Sequence, residues 1–142
     1  MRYLLLLFLI FFTLVGCSTP LRTANSFEVT AQPYFTSKIE NKQPVDNLSK
    51  IDLNQKELVI YCRWRDIEPG KHAHMFRLFD GTGNLVYVSN YEFEATESSW
   101  NTWSTYKINR NIDKPGTWAL EVYIDGKKIA VNELTVLAAE NQ

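Results

Sequence analysis

The stretch that decides the fold is "KPGTWALEVYIDGKKIAVNELTV", Lys114–Val136. A Pro-Gly pair opens it, with Pro fixing φ and Gly free to take positive φ. Large apolar side chains then fall on every second position, Trp118, Leu120, Val122 and Ile124, while Ala119, Glu121 and Tyr123 take the other face. A period of two belongs to a β-strand with one face on a core. Asp125-Gly126 separates this run from a second strand-like run, the strongest short hairpin signal. Trp118 is therefore expected in the core, where a buried ring removes on the order of 150–250 Å² from water.

Working outward, helical periodicity is missing after residue 17, and short runs rich in Val, Ile, Thr, Tyr, Phe and Trp recur between turn residues. Seven strands are expected: Phe27–Thr36, Glu57–Arg65, His72–Phe79, Leu85–Tyr91, Ser99–Ile108, Thr117–Ile124 and Lys128–Leu137. "EPGK" at Glu68–Lys71 and "DGTGN" at Asp80–Asn84 supply further turns. Seven short strands punctuated in this way predict an all-β, immunoglobulin-like two-sheet antiparallel sandwich, one domain over residues 27–142. Ser37–Lys56 is polar, with Pro44 and scattered apolar residues. It reads as a long connection with room for an extra edge strand.

The residues "RWRDIEPGKH", "WNTWSTYKI" and "KPGTWALEVYIDGKKIAVNELTV" resemble immunoglobulin-like modules of bacterial periplasmic and surface proteins, over roughly Leu58–Leu137. The resemblance implies the sandwich fold and brings no catalytic residues. The chain's first residues carry a separate resemblance. One basic residue, Arg2, precedes an apolar run from Tyr3 to Val15 that is too short to span a bilayer, and it ends "LVGC" at Leu14–Cys17. This is similar to the lipobox of bacterial lipoproteins. The resemblance implies a signal peptide over residues 1–16, diacylglycerol on the Cys17 sulfur, a tether over residues 17–26, and, with Ser18 rather than Asp after the cysteine, lipid anchorage in the outer membrane.

Charge is nearly balanced, 15 Lys and Arg against 16 Asp and Glu, with no basic stripe, so no nucleic-acid partner is expected. No phosphate-binding, nucleophile-elbow or zinc-protease motif occurs, and the reading is a binding module without cofactor rather than an enzyme. Glu92, Glu94 and Glu97 read as a solvated face in a loop or strand end. Cys62 alternates with Leu58, Ile60 and Trp64 and is expected to be a buried small hydrophobe.

The candidate binding residues come from "ESSWNTWSTYKI", Glu97–Ile108. Trp100 and Trp103 stand three apart, so strand geometry sends them to opposite faces. Trp100, Thr102, Ser104, Tyr106 and Ile108 form the richer apolar face, which places Trp100 inward and Trp103 outward. In "ELVIYCRWR" the same logic turns Tyr61, Arg63 and Arg65 outward. If these two strands share a sheet, Trp103, Tyr61 and Arg63 make an aromatic and arginine patch, the composition of binding hot spots and of sugar-stacking surfaces. An envelope protein or cell-wall glycan is the expected partner. The alternative is a metal-handling lipoprotein using His72 and His74, which project on one face of their strand. The pair lacks a convincing third ligand, and no metal site is assigned.

Overall fold

The computed structural model describes residues 28–139. The expected signal peptide, Cys17 and the expected tether lie outside the described residues. Ten strands run in chain order: β1 Thr30–Thr36, β2 Ile39–Glu40, β3 Gln43–Pro44, β4 Lys50–Asp52, β5 Glu57–Arg65, β6 Gly70–Phe79, β7 Leu85–Ala95, β8 Ser99–Lys107, β9 Gly116–Ile124 and β10 Lys127–Leu137. They form one sheet of order β1-β5-β8, a second of order β4-β10-β9-β6-β7, and the small hairpin β2-β3. All pairings are antiparallel except β4 with β10. Leaving out the short β2, β3 and β4, this is the A-B-E and G-F-C-C′ arrangement of immunoglobulin-like sandwiches.

All seven expected strands are present, and the alternation sets what each buries. Trp64, Cys62, Ile60 and Leu58 from β5 meet Trp118, Leu120 and Val122 from β9 and Phe76 and Leu78 from β6, all fully buried. Both deep indoles find acceptors: Trp64 Nε1 donates to Thr102 Oγ1 at 2.9 Å and Trp118 Nε1 to the Lys114 carbonyl at 2.7 Å. Cys62 is buried as expected, and burial pushes its thiol pKa up. Asp125 and Gly126 both take positive φ, as a tight hairpin turn demands. At the opposite end of β9, Gly81 in the β6–β7 turn lies against the backbone of Pro115 and Gly116 so closely that no Cβ fits.

Two refinements of the sequence reading shape the site. First, Ser37–Lys56 holds the extra edge strand it had room for, β4, and is otherwise more than an open connection. It folds back as the β2–β3 hairpin over the outer face of the β1-β5-β8 sheet, then crosses to the second sheet as β4. The Asp46 carboxylate fastens this fold, accepting from Thr36 Oγ1 at 2.6 Å, Ser37 Oγ at 2.6 Å and the Ser37 amide at 2.8 Å. Second, β7 runs past the expected end at Tyr91 to Ala95, so Glu92 and Glu94 take the strand-end alternative of their reading and are exposed there.

Candidate functional site

The second and fifth expected strands do share a sheet. β5 and β8 pair antiparallel, with Tyr61 opposite Trp103 and Arg63 opposite Asn101. The Tyr61 and Trp103 rings stack at 6.4 Å between centroids and 16° between planes. The juxtaposition is as read, but its exposure is not. Tyr61 is 0% exposed, because the β2–β3 hairpin closes over it. Its hydroxyl donates to the Lys42 carbonyl and the Gln43 Oε1, both at 3.3 Å. Arg63 lies over the Tyr34 ring at 5.6 Å and donates through Nη2 to Gln43 Oε1 at 3.0 Å. Tyr61 and Arg63 therefore hold the hairpin down, and Tyr61 also supports Trp103 from behind; Tyr61 is closed to a partner, whereas Arg63 stays half-buried. Val59, also on the outer face, is buried like Tyr61, so the middle of β5 is covered on both sides.

Trp103 remains 43% exposed and faces a groove instead. β7 and β8 are edge strands of different sheets, joined by the short bend at residues 96–98. Where they diverge, the side of the sandwich stands open. The opening is a groove of about 700 Å³ bordered by Tyr91, Glu92 and Glu94 of β7, Trp100, Asn101 and Trp103 of β8, and Lys42 from the hairpin. Tyr91 has the inward phase of β7, opposite His74, yet is 59% exposed because the sheet edge overhangs this opening. Trp100 has the inward phase expected of it but is only half-buried for the same reason.

Each ring of the groove has a second ring behind it. Trp103 is backed by Tyr61, Trp100 stacks on Phe93 at 6.1 Å and 9°, and Tyr91 packs on His74 at 5.7 Å. Stacking of this kind fixes the rings in place, so a ligand meets a surface whose rotamer entropy is already lost. Among the polar groups, Asn101 Oδ1 is buried and accepts no hydrogen bond. Sequence reasoning found Trp103 by phase but missed Tyr91, which it gave no role beyond ending the expected strand Leu85–Tyr91.

The histidines share a face of β6 as expected and then part in chemistry. Nδ1 of His72 lies 2.7 Å from Asp125 Oδ2 and its Nε2 lies 2.7 Å from the Glu68 carbonyl, so both ring nitrogens are engaged. Burial alone would lower the His72 pKa, but the contacts to Asp125 and Glu68 outweigh it and raise the value. His74 is buried with neither nitrogen hydrogen-bonded, among the rings of Phe76 at 4.5 Å, Tyr91, Phe93 at 6.0 Å and Trp64 at 6.3 Å. Desolvation pushes its pKa down to about 4. Among the described residues no cluster of three or more His, Cys, Asp or Glu stands at metal-binding geometry.

No protein-family model matches the sequence, and no curated protein matches it either. Solved structures do match in fold. An alkylpurine DNA glycosylase of Pseudomonas fluorescens is similar over 78% of this chain at 14% identity and a TM-score of 0.53. An immunoglobulin-like protein of Pseudomonas aeruginosa is similar over 80% of this chain and 99% of its own, at 10% identity and a TM-score of 0.46. A β-glucosidase of Listeria innocua is similar over 79% of this chain, at 14% identity and a TM-score of 0.49. The chain spans 31% of the DNA glycosylase chain and 16% of the glucosidase chain. At these identities the likeness concerns the fold alone.

Proposed function

We propose that the protein is a lipid-anchored binding module of the bacterial envelope, held in the outer membrane through Cys17, and that its recognition surface is the groove between β7 and β8. The observation that carries this reading is the set of three rings, Tyr91, Trp100 and Trp103, each backed by another ring and each left partly open to solvent along one groove. Large exposed aromatic surface on a small domain is a liability unless a partner covers it. The "LVGC" box at Leu14–Cys17 supports the anchor.

Binding rather than catalysis suits the groove's acids. Glu92 and Glu94 lie two residues apart on one strand and share its outer phase, opposite to that of Tyr91, so both carboxylates stand on one face. Carboxylates so placed do not flank a glycosidic bond from opposite sides, as hydrolysis requires. The test is whether the groove is covered in the intact envelope. Hydroxyl-radical footprinting should find Tyr91 and Trp103 shielded in cells and reactive in the purified chain.

A further inference from the structure

Resting on that reading of the groove, we propose that Tyr91 is an acid-released lid: a proton on the buried His74 imidazole turns the Tyr91 ring outward and takes down the β7 wall of the groove. Four rings box His74, with centroids of Phe76 at 4.5 Å, Tyr91 at 5.7 Å, Phe93 at 6.0 Å and Trp64 at 6.3 Å. Neither ring nitrogen has a hydrogen-bond partner among the described residues. A neutral imidazole carries one N–H donor and an imidazolium two. An imidazolium held in this box would leave a charge and two donors unmet. Ring faces attract a cation, but they do not replace water at both nitrogens. Among the described residues no neighbouring strand turns a charge toward it. β5 presents Trp64 and the Cys62 thiol, whose pKa burial pushes up. β9 presents Ile124, directly opposite His74, and β8 presents Trp100 and Thr102 beyond the box. β7 presents Tyr91 and Phe93, while Glu92 and Glu94 take its outer phase. On β6 itself the neighbouring titratable group on this face is His72, engaged by Asp125 and the Glu68 carbonyl, and the other Asp125 oxygen accepts from the Ala73 amide. A protonated His74 must therefore reach water.

One wall of the box can admit it. Trp64 and Phe76 are fully buried and Phe93 nearly so, whereas Tyr91 has its far side in solvent. Tyr91 also stands on an edge strand, so its ring can turn about its side-chain bonds without breaking the β6–β7 ladder. The consequence reaches a second ring of the groove. Phe93 touches His74 on one side and stacks on Trp100 on the other, so hydration of His74 loosens the support of Trp100. Trp103 rests on Tyr61 and is not coupled to His74. Desolvation holds the closed form's pKa down at about 4, while a hydrated imidazole takes its proton at about 6.5. Opening of the lid is therefore favoured roughly 30-fold more at pH ~5 than at pH ~7.5.

The test is a proton titration of the isotope-labelled full chain in detergent, from pH ~7.5 to pH ~4, followed by nuclear magnetic resonance. The His74 C–H signal, the Tyr91 ring signals and the indole N–H signals are read together. The expected result is that Tyr91 and Trp100 move along one single-proton curve shared with His74, while Trp103 and the deep Trp118 hold still. The curve should vanish in His74→Leu and persist in His72→Gln. In Tyr91→Ala, which removes the lid from an exposed edge position, His74 should bind its proton at least about tenfold more tightly than in the parent. This variant decides the matter even where His74→Leu does not fold. The inference is overturned if His74 keeps its low midpoint in Tyr91→Ala, if Tyr91 follows acid in His74→Leu, or if Trp118 moves with Tyr91, which marks global unfolding. Absence of the His74 curve with Tyr91 and Trp103 still shielded in cells removes the lid and keeps the groove. Presence of the curve with both rings reactive in cells keeps the lid and removes the groove as a binding surface.

Discussion

His74→Leu should flatten the acid side of the stability profile. In the folded chain His74 is sealed among Trp64, Phe76, Tyr91 and Phe93 with no hydrogen-bond partner on either nitrogen. A proton on that ring has no counter-charge to meet, and desolvation sets its pKa at about 4. In the unfolded chain the ring titrates at about 6.5. Between those values the unfolded state binds more protons than the folded state, so stability falls as pH falls. The contribution is fully present above pH ~6.5, is lost progressively on the way down to pH ~4, and totals about 3 kcal/mol at 1.36 kcal/mol per unit. His72 works in the opposite direction. Its folded pKa is raised, so its contribution is fully present below its unfolded pKa and is lost as pH rises through the folded value. The two histidines together predict a stability maximum near pH 6.5. Asp46, Asp80 and Asp125 all have lowered folded pKa values, and their contributions are lost only as pH falls below the ordinary carboxylate range. The interval from pH 6.5 to about 5 therefore belongs to His74. Urea denaturation of the full chain at half-unit pH steps measures it. The substituted chain should lose no stability across that interval, and at pH 7 it should match or exceed the parent, because a buried polar group without a partner has been replaced by an apolar one of similar volume. An acid limb of unchanged slope in His74→Leu would refute the assignment.

Two further outcomes follow, one from packing and one from the proposed lipid anchor. Gly81→Ala should destabilise the domain by several kcal/mol, because its Cβ would stand 2.0 Å from the Pro115 carbonyl oxygen and 2.7 Å from the Gly116 Cα, both backbone atoms, and the β6–β7 turn would have to part from the β9 entry; thermal melting checks it, and an unchanged midpoint would contradict the close approach. Cys17→Ala should abolish the diacylglycerol mass in the membrane fraction and release the chain from it, and intact mass spectrometry of fractionated cells reads both.

The sandwich was legible because its signals are local. The alternation around Trp118, the Asp125-Gly126 turn and the phase of Leu58–Trp64 each act within one or two strands, and all of them hold in the structure. The Tyr61–Trp103 pairing was legible too, since it follows from strand phase and immunoglobulin order. What covered Tyr61 was not. The β2–β3 hairpin turns at Asn41 and Lys42, both at positive φ, without the glycine that usually advertises such a turn. Its seat is made by the side chain of Gln43 and the carbonyl of Lys42, contacts eighteen or more residues distant from Tyr61 and Arg63. The exposure of Tyr91 went unread for a geometric reason. Strand phase says which face a side chain takes, and it does not say that the sheet edge overhangs an opening there. The same divergence of β7 from β8 leaves Trp100 half-buried, so the groove is a property of how two edges separate and not of either strand's sequence.

The central claim is that the β7–β8 groove is occupied in the envelope, and it is tested most directly by hydroxyl-radical footprinting of the protein in intact cells against the same full chain purified in detergent. Ile112 and Val131 are exposed away from the groove and serve as references for radical dose. The account predicts that oxidation of Tyr91 and Trp103 falls at least several-fold in cells while Ile112 and Val131 react alike in both samples. Equal oxidation of Tyr91 and Trp103 in cells and in detergent, at matched reference reactivity, would contradict it.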